Sequence, residues 1–192
     1  MLLGLGIALL IKGGIIITPF DAISVGLNKK LGFTVGTWSI AVQFIIAILE
    51  AIIGKKKLEY RSAITVLFNG WSIDFWLYIP LKAFVVPELI LYQGIISAIG
   101  ILAVGLGIST YIISEFPKSP IDGLMMALME RFNLSIVFTR SIIEGTFVAI
   151  ALVAGGPITV GTLIIPLTLG YLIKFFNGIT SRAFKSIGVL SI

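Results

Sequence analysis

The sequence contains no cysteine and no histidine. The first absence excludes disulfides, thiolate nucleophiles and Cys/His zinc clusters; the second excludes imidazole proton relays. Charge is also scarce: nine acidic and fourteen basic side chains make up 12% of 192 residues, against 58% hydrophobic. With a mean hydropathy of +1.12, the chain has too little polar surface to clothe a soluble core of its size. A lipid bilayer supplies the missing cover, so the composition predicts an integral membrane protein. The net charge of +5 does not point to nucleic acid, because the basic residues fall in short segments between apolar runs, where a cytoplasmic excess of Lys and Arg is ordinary. No enzyme is expected from so reduced a set of chemical groups; an aspartyl pair of Asp21 and Asp122 would be the main alternative, and neither has a protease-like context. No cofactor is implied either. Gly4, Gly6, Gly105 and Gly107 lack the strand that a dinucleotide site needs, and read as close-packing positions between helices.

A membrane-spanning helix takes about 20 apolar residues, at about 1.5 Å each. Six segments qualify as spans or nearly do, over 2–17, 35–53, 62–80, 88–113, 135–154 and 158–176; the first, short and glycine-rich with Lys12, is expected to span only with help from the stretch that follows. The first lacks a basic leader and a small-residue cleavage site, so it is expected to be a retained span rather than a signal sequence. Two further stretches, TPFDAISVGLNKK from Thr18 and SPIDGLMMALMER from Ser119, are too short to cross. Each opens with a cap residue (Thr18, Ser119), a proline at the first helical position and an aspartate three residues after the cap (Asp21, Asp122). These features predict half-helices over 19–31 and 120–132, re-entrant or interfacial.

Displacing the chain by 101 residues aligns it with itself. Eight of the 33 pairs from Gly4 to Gly36 are identical, including Gly4/Gly105, Gly6/Gly107, Pro19/Pro120 and Asp21/Asp122, and Thr18 meets Ser119. Apolar bias matches Leu with Ile, but it does not put Gly-x-Gly and Pro-x-Asp in register. The fold class expected is therefore all-α: a polytopic membrane protein of six transmembrane helices plus two half-helices, one integrated domain made of two repeats, 1–86 and 87–192. Three crossings per half force the second repeat to insert upside down. The loops agree: GKKKLEYR, residues 54–61, carries Lys55, Lys56, Lys57 and Arg61, whereas its counterpart GGPITVG, residues 155–161, carries no charge. Placing GKKKLEYR inside puts Lys118, Arg131, Arg140, Arg182 and Lys185 inside with both termini, and mainly Lys29, Lys30 and Lys82 outside.

Several short motifs resemble the YczE/YitT-like family of small bacterial integral membrane proteins. They are the glycine-rich opening from Gly4, TPFD from Thr18, LGFTVGTWS over Leu31 to Ser39, GWSID over Gly70 to Asp74, SPIDGL over Ser119 to Leu124, the Arg140 and Glu144 pair, and GGPITVGT over Gly155 to Thr162. The resemblance covers nearly the whole chain. It implies a multi-pass protein of the bacterial plasma membrane and does not imply a substrate. GKKKLEYR stands where the family usually has a neutral glycine-rich loop.

Ionisable groups within spans cost about 2.5–3.5 kcal/mol each on insertion scales and so invite a functional reading. Asp21 and Asp122, with Thr18 and Ser119, have two readings: helix caps, or the ends of two half-helices converging on a site between the repeats. Glu144 lies about ten residues into the fifth span, with Arg140 one turn earlier on the same face; the two suit either a structural ion pair or a site. Their repeat partners are Gln43 and Ser39. Asp74, with Asn69 close by, sits in the third span opposite Lys174, and either lines a site or lies at the outer interface. Lys12 either snorkels or pairs with a carboxylate such as Asp21. Trp38, Trp71, Trp76, Tyr78 and Tyr92 suit an interfacial aromatic belt. The candidate solute- or ion-binding residues are thus Asp21, Asp122, Glu144, Arg140, Gln43, Asp74, Asn69, Thr18 and Ser119, with no metal site.

The expected function is that of a small transporter or permease-like protein moving a small polar or amphipathic solute by alternating access. A substrate-binding membrane subunit of a larger uptake system and a non-transporting accessory protein are the alternatives. The partners implied are the lipid bilayer and a small-molecule solute, without nucleic acid; the oligomeric state stays open.

Overall fold

A computed structural model describes residues 1–58, 60–113, 119–159, 161–162, 172 and 175–182. Among the described residues the fold is all-helical, in the order α1 (Leu2–Gly13), α2 (Pro19–Leu31), α3 (Val35–Gly54), α4 (Tyr60–Tyr78), α5 (Ile90–Ile113), α6 (Pro120–Phe132) and α7 (Ile136–Ala154). Residues 175–182 are helical as well.

Cap chemistry sets the helix starts. Thr18, Thr34 and Ser135 each accept a hydrogen bond at the side-chain oxygen from the amide three residues on, at Asp21 (3.1 Å), Thr37 (3.1 Å) and Phe138 (3.3 Å). Each thereby satisfies a backbone donor that has no partner inside the helix. Both half-helices occupy the expected residues. Their caps differ in detail: the Thr18 hydroxyl also donates to Asp21 Oδ2 at 2.7 Å, whereas Ser119 accepts from Ile121 N at 3.4 Å. The Ser119 hydroxyl thus meets the amide of the second helical residue, where that of Thr18 meets the third.

Among the described residues three helices are long and apolar enough to cross a bilayer: α3, α5 over Ile90–Tyr111, and α7. Their outward faces carry large exposed apolar side chains, among them Ile45, Leu49 and Ile52 on α3, Ile95, Ile99 and Leu102 on α5, and Leu152 and Val153 on α7. In water such surfaces would drive association; in lipid they are the solvated face.

The first helix departs from expectation. α1 ends at Gly13 because Gly14 takes a left-handed conformation (φ 75°) whose amide closes on Leu10 O. Its 12 residues reach about 18 Å, less than the hydrocarbon thickness. It also begins in the second half of α4: Ser72 Oγ and Trp76 Nε1 both donate to the Met1 carbonyl, at 3.3 and 3.1 Å. These bonds hold the start of α1 against the later turns of α4. Most of the sixth expected span, with Lys174, lies outside the described residues, as do Lys118 and Lys185.

Glycines bring the helices together. A Cβ on Gly6 would lie 2.6 Å from Val104 N and 2.8 Å from Gly100 O, and a Cβ on Gly107 would lie 2.8 Å from Leu3 N. Gly13 meets Ser97, so α1 and α5 run antiparallel with backbones in close approach. The half-helices pack across the molecule: α2 lies on α7, where Gly26 fits against Ala154 and Gly156, and α6 lies on α3, where Ala127 fits against Gly54. Cations at their ends hold the facing carbonyls. Lys30 Nζ donates to Val153 O at 2.6 Å, and Arg131 Nη1 donates to Ile53 O at 3.1 Å. One apolar cluster joins α1, α2, α3, α4 and α5 around Leu10 and Ile73; a second joins α2, α3, α6 and α7 around Ile23 and Phe147.

Candidate functional site

Between these clusters lies a cavity of about 170 Å³ whose lining includes Thr18, Asp21, Gln43, Asn69, Ser119, Arg140 and Glu144. Seven of the nine candidate residues thus meet in one space. Asp122 lines an adjoining cavity of about 320 Å³ that shares Gln43, Asn69, Ser119 and Arg140. Apolar side chains, among them Leu3, Ile7, Phe20, Val104, Ile108 and Phe147, complete the first cavity.

The wall has an internal correspondence. Leu3 and Val104, Ile7 and Ile108, Thr18 and Ser119, Phe20 and Ile121, and Gln43 and Glu144 all line the first cavity, and every pair is separated by 101 residues. The polar centre departs from this equality. On α7, Arg140 Nη2 pairs with Glu144 Oε1 at 2.8 Å. At the equivalent positions of α3, Gln43 Nε2 donates to Ser39 Oγ at 3.2 Å, and both residues are buried. The same helical spacing, i and i+4, holds an ion pair on one side and a neutral hydrogen bond on the other.

Asp21 is 5% exposed, and Thr18 supplies its side-chain hydrogen bond. Lys12 does not pair with it: its ammonium donates to Phe84 O at 3.2 Å. Asn69, in the middle of α4, lines both cavities. Phe20 and Phe147 meet edge-on, with centroids 6.0 Å apart, and close one wall.

Asp74 stands apart from this site. Its Oδ1 accepts from Gly36 N at 2.7 Å and its Oδ2 from the Thr34 hydroxyl at 2.5 Å, so it caps the start of α3 from the neighbouring helix. Gly36 has no room for a side chain there, because its Cβ would overlap the Asp74 carboxylate. Two hydroxyl-bearing lining residues were absent from the sequence-based set: Thr65 and Tyr111, both on the second cavity. Thr65 was within reach of sequence reasoning, since it precedes Asn69 by one helical turn on the same face. Its hydroxyl is buried without a hydrogen-bond partner.

Among the described residues no cluster of acidic side chains suits a metal ion. The donors present can hold a small solute through an ion pair, two carboxamides, two cap hydroxyls and a carboxylate, against an apolar wall.

The model for DUF6198, a family of unknown function, matches residues 1–178. The chain belongs to that family. It is 36% identical over 186 residues to the uncharacterized protein YyaS of Bacillus subtilis (strain 168), covering 97% of this chain and 92% of that protein. It is 30% identical over 181 residues to an uncharacterized protein of Haemophilus influenzae, covering 94% and 81%. It is 28% identical over 178 residues to the uncharacterized membrane protein YczE of Bacillus subtilis, covering 91% and 80%. The YczE-like resemblance drawn from the motifs holds, and with the apolar helices it makes the chain a membrane protein of a bacterial DUF6198 type. No solved structure matches.

Proposed function

We propose that the chain is a small transporter or permease-like protein of the bacterial plasma membrane, not an enzyme, and that it moves a small polar or amphipathic solute by alternating access. In this reading residues 1–86 and 87–192 are two inverted repeats, together supplying six membrane helices and two half-helices. GKKKLEYR faces the cytoplasm and GGPITVG the opposite side.

The observation that carries the reading is the cavity itself. It is walled by residue pairs 101 apart, both half-helix caps open onto it, and the pair that differs in charge is Gln43 and Glu144. Solute sites between inverted repeats, with half-helix ends directed at the solute, are how small secondary transporters are commonly built. The antiparallel α1 and α5, and the packing of each half-helix on a span of the other half, suit a rocking of one repeat against the other.

Purified protein in proteoliposomes, offered a mixture of small metabolites and assayed by mass spectrometry of the lumen, accumulates or exchanges at least one compound. Glu144→Gln abolishes that flux while the protein stays folded. Flux that survives both Glu144→Gln and Asn69→Leu overturns the site. Tight binding without flux instead favours the substrate-binding subunit of a larger uptake system.

A further inference from the structure

Resting on that reading of the cavity, we propose its solute class: a small amphipathic organic monocation, an ammonium or amidinium head carrying an apolar group no larger than about one aromatic ring. The argument is a charge count on the wall. Glu144 and Arg140 neutralise each other through their 2.8 Å ion pair. Asp21 is left over. It is 95% buried, given its 5% exposure, and its one side-chain donor is the neutral Thr18 hydroxyl at 2.7 Å. The two ion pairs among the described residues, Lys56 with Glu130 and Arg140 with Glu144, do not involve it. Of the cations nearest in sequence, Lys12 donates to Phe84 O, Lys30 donates to Val153 O, and Lys29 is exposed in the last turn of α2.

A carboxylate held away from water without a counter-cation is costly, and a helix start beside it offsets only part of that cost. A bound cation removes the imbalance; a bound anion doubles it. The rest of the cavity sets the shape. The carboxamides of Gln43 and Asn69 offer acceptors to the remaining ammonium protons, while Ile7, Phe20 and Phe147 form an apolar floor. A space of about 170 Å³ compares with the roughly 150 Å³ of apolar cavity that accepts benzene. Phe20 and Phe147 both line the cavity, and an aromatic ring face attracts cations.

The test uses one ring in three charge states on the full-length protein in detergent: benzylammonium, benzyl alcohol and benzoate, each titrated while unfolding is followed by scanning calorimetry. Benzylammonium is expected to raise the midpoint saturably, with an apparent Kd at least tenfold below the other two, and Asp21→Asn is expected to remove that preference. If Asp21→Asn does not fold, the charge series on the unaltered protein decides by itself. Equal effects of all three probes, no effect of any, or a preference for benzoate overturns the proposal. A benzoate preference that Arg140→Gln abolishes would do so while leaving the cavity as the solute site, so the two readings fail separately.

Discussion

The Arg140–Glu144 pair gives a prediction in which stability and function separate. Removing Arg140 alone leaves the Glu144 carboxylate, whose side chain is 19% exposed, without its counter-charge; removing Glu144 alone strands a guanidinium that is 39% exposed. Breaking a fully buried pair this way costs about 3–5 kcal/mol. Here the partial exposure of both partners reduces the expected cost to about 1–3 kcal/mol per single substitution. For a chain of this size that is a fall in Tm of about 2–12 °C. The opposite half shows what the same helical positions tolerate when neutral: Ser39 and Gln43, hydrogen-bonded at 3.2 Å. The double substitution Arg140→Ser with Glu144→Gln copies that pair onto α7 and removes both charges. It is therefore expected to lie within about 1 kcal/mol of the unaltered protein, more stable than either Arg140→Ser or Glu144→Gln alone. It should also be inactive in flux. Thermal unfolding of the four proteins in one detergent closes the cycle. A double variant whose loss equals the sum of the two single losses would refute the coupling, and one that transports normally would refute the role of the pair.

Three further outcomes follow from the same structure. Gly6→Ala pushes a methyl to within 2.6 Å of the α5 backbone and should cost about 1–3 kcal/mol, whereas Gly145→Ala meets nothing within 4 Å and should be neutral or stabilising by up to about 1 kcal/mol; paired melting curves compare them. Asp74→Ala removes two capping contacts at the start of α3 and should lower stability by about 1–3 kcal/mol. Solute binding per folded molecule should not change, since Asp74 does not line the cavity. Because the chain has no cysteine, single cysteines can be introduced directly: Lys56→Cys should react with an impermeant maleimide only from the cytoplasmic side and Ile158→Cys only from the other, and labelling of both from the same side contradicts the inverted repeats.

Much of the fold was legible because local chemistry announces it. The cap and proline patterns at Thr18 and Ser119 mark both half-helix starts, and both half-helices fill the expected residues. The site was legible for a different reason. Polar groups in apolar helices are few, so those present have few places to go, and seven of nine share one cavity. The partners of Asp74 were not legible, because sequence shows an acid within a span but not the α3 start that folds onto it from 38 residues away. The seating of α2 on α7 and of α6 on α3 was not readable: no local period names a partner helix, and Gly26 and Ala127 reveal their role only once Gly156 and Gly54 lie against them. The length of α1 was misjudged because residues 15–17 are as apolar as the helix before them, while the left-handed turn at Gly14 ends it.

The central claim, a solute cavity open in turn to each side of the membrane, can be tested without knowing the solute. Asn69→Cys places a single thiol on the cavity wall, and its reaction with a small impermeant thiol reagent can be followed in right-side-out and in inside-out vesicles. The account predicts labelling from both faces, slowed from both by any solute the protein carries. Labelling from one face alone, or from neither, would contradict alternating access.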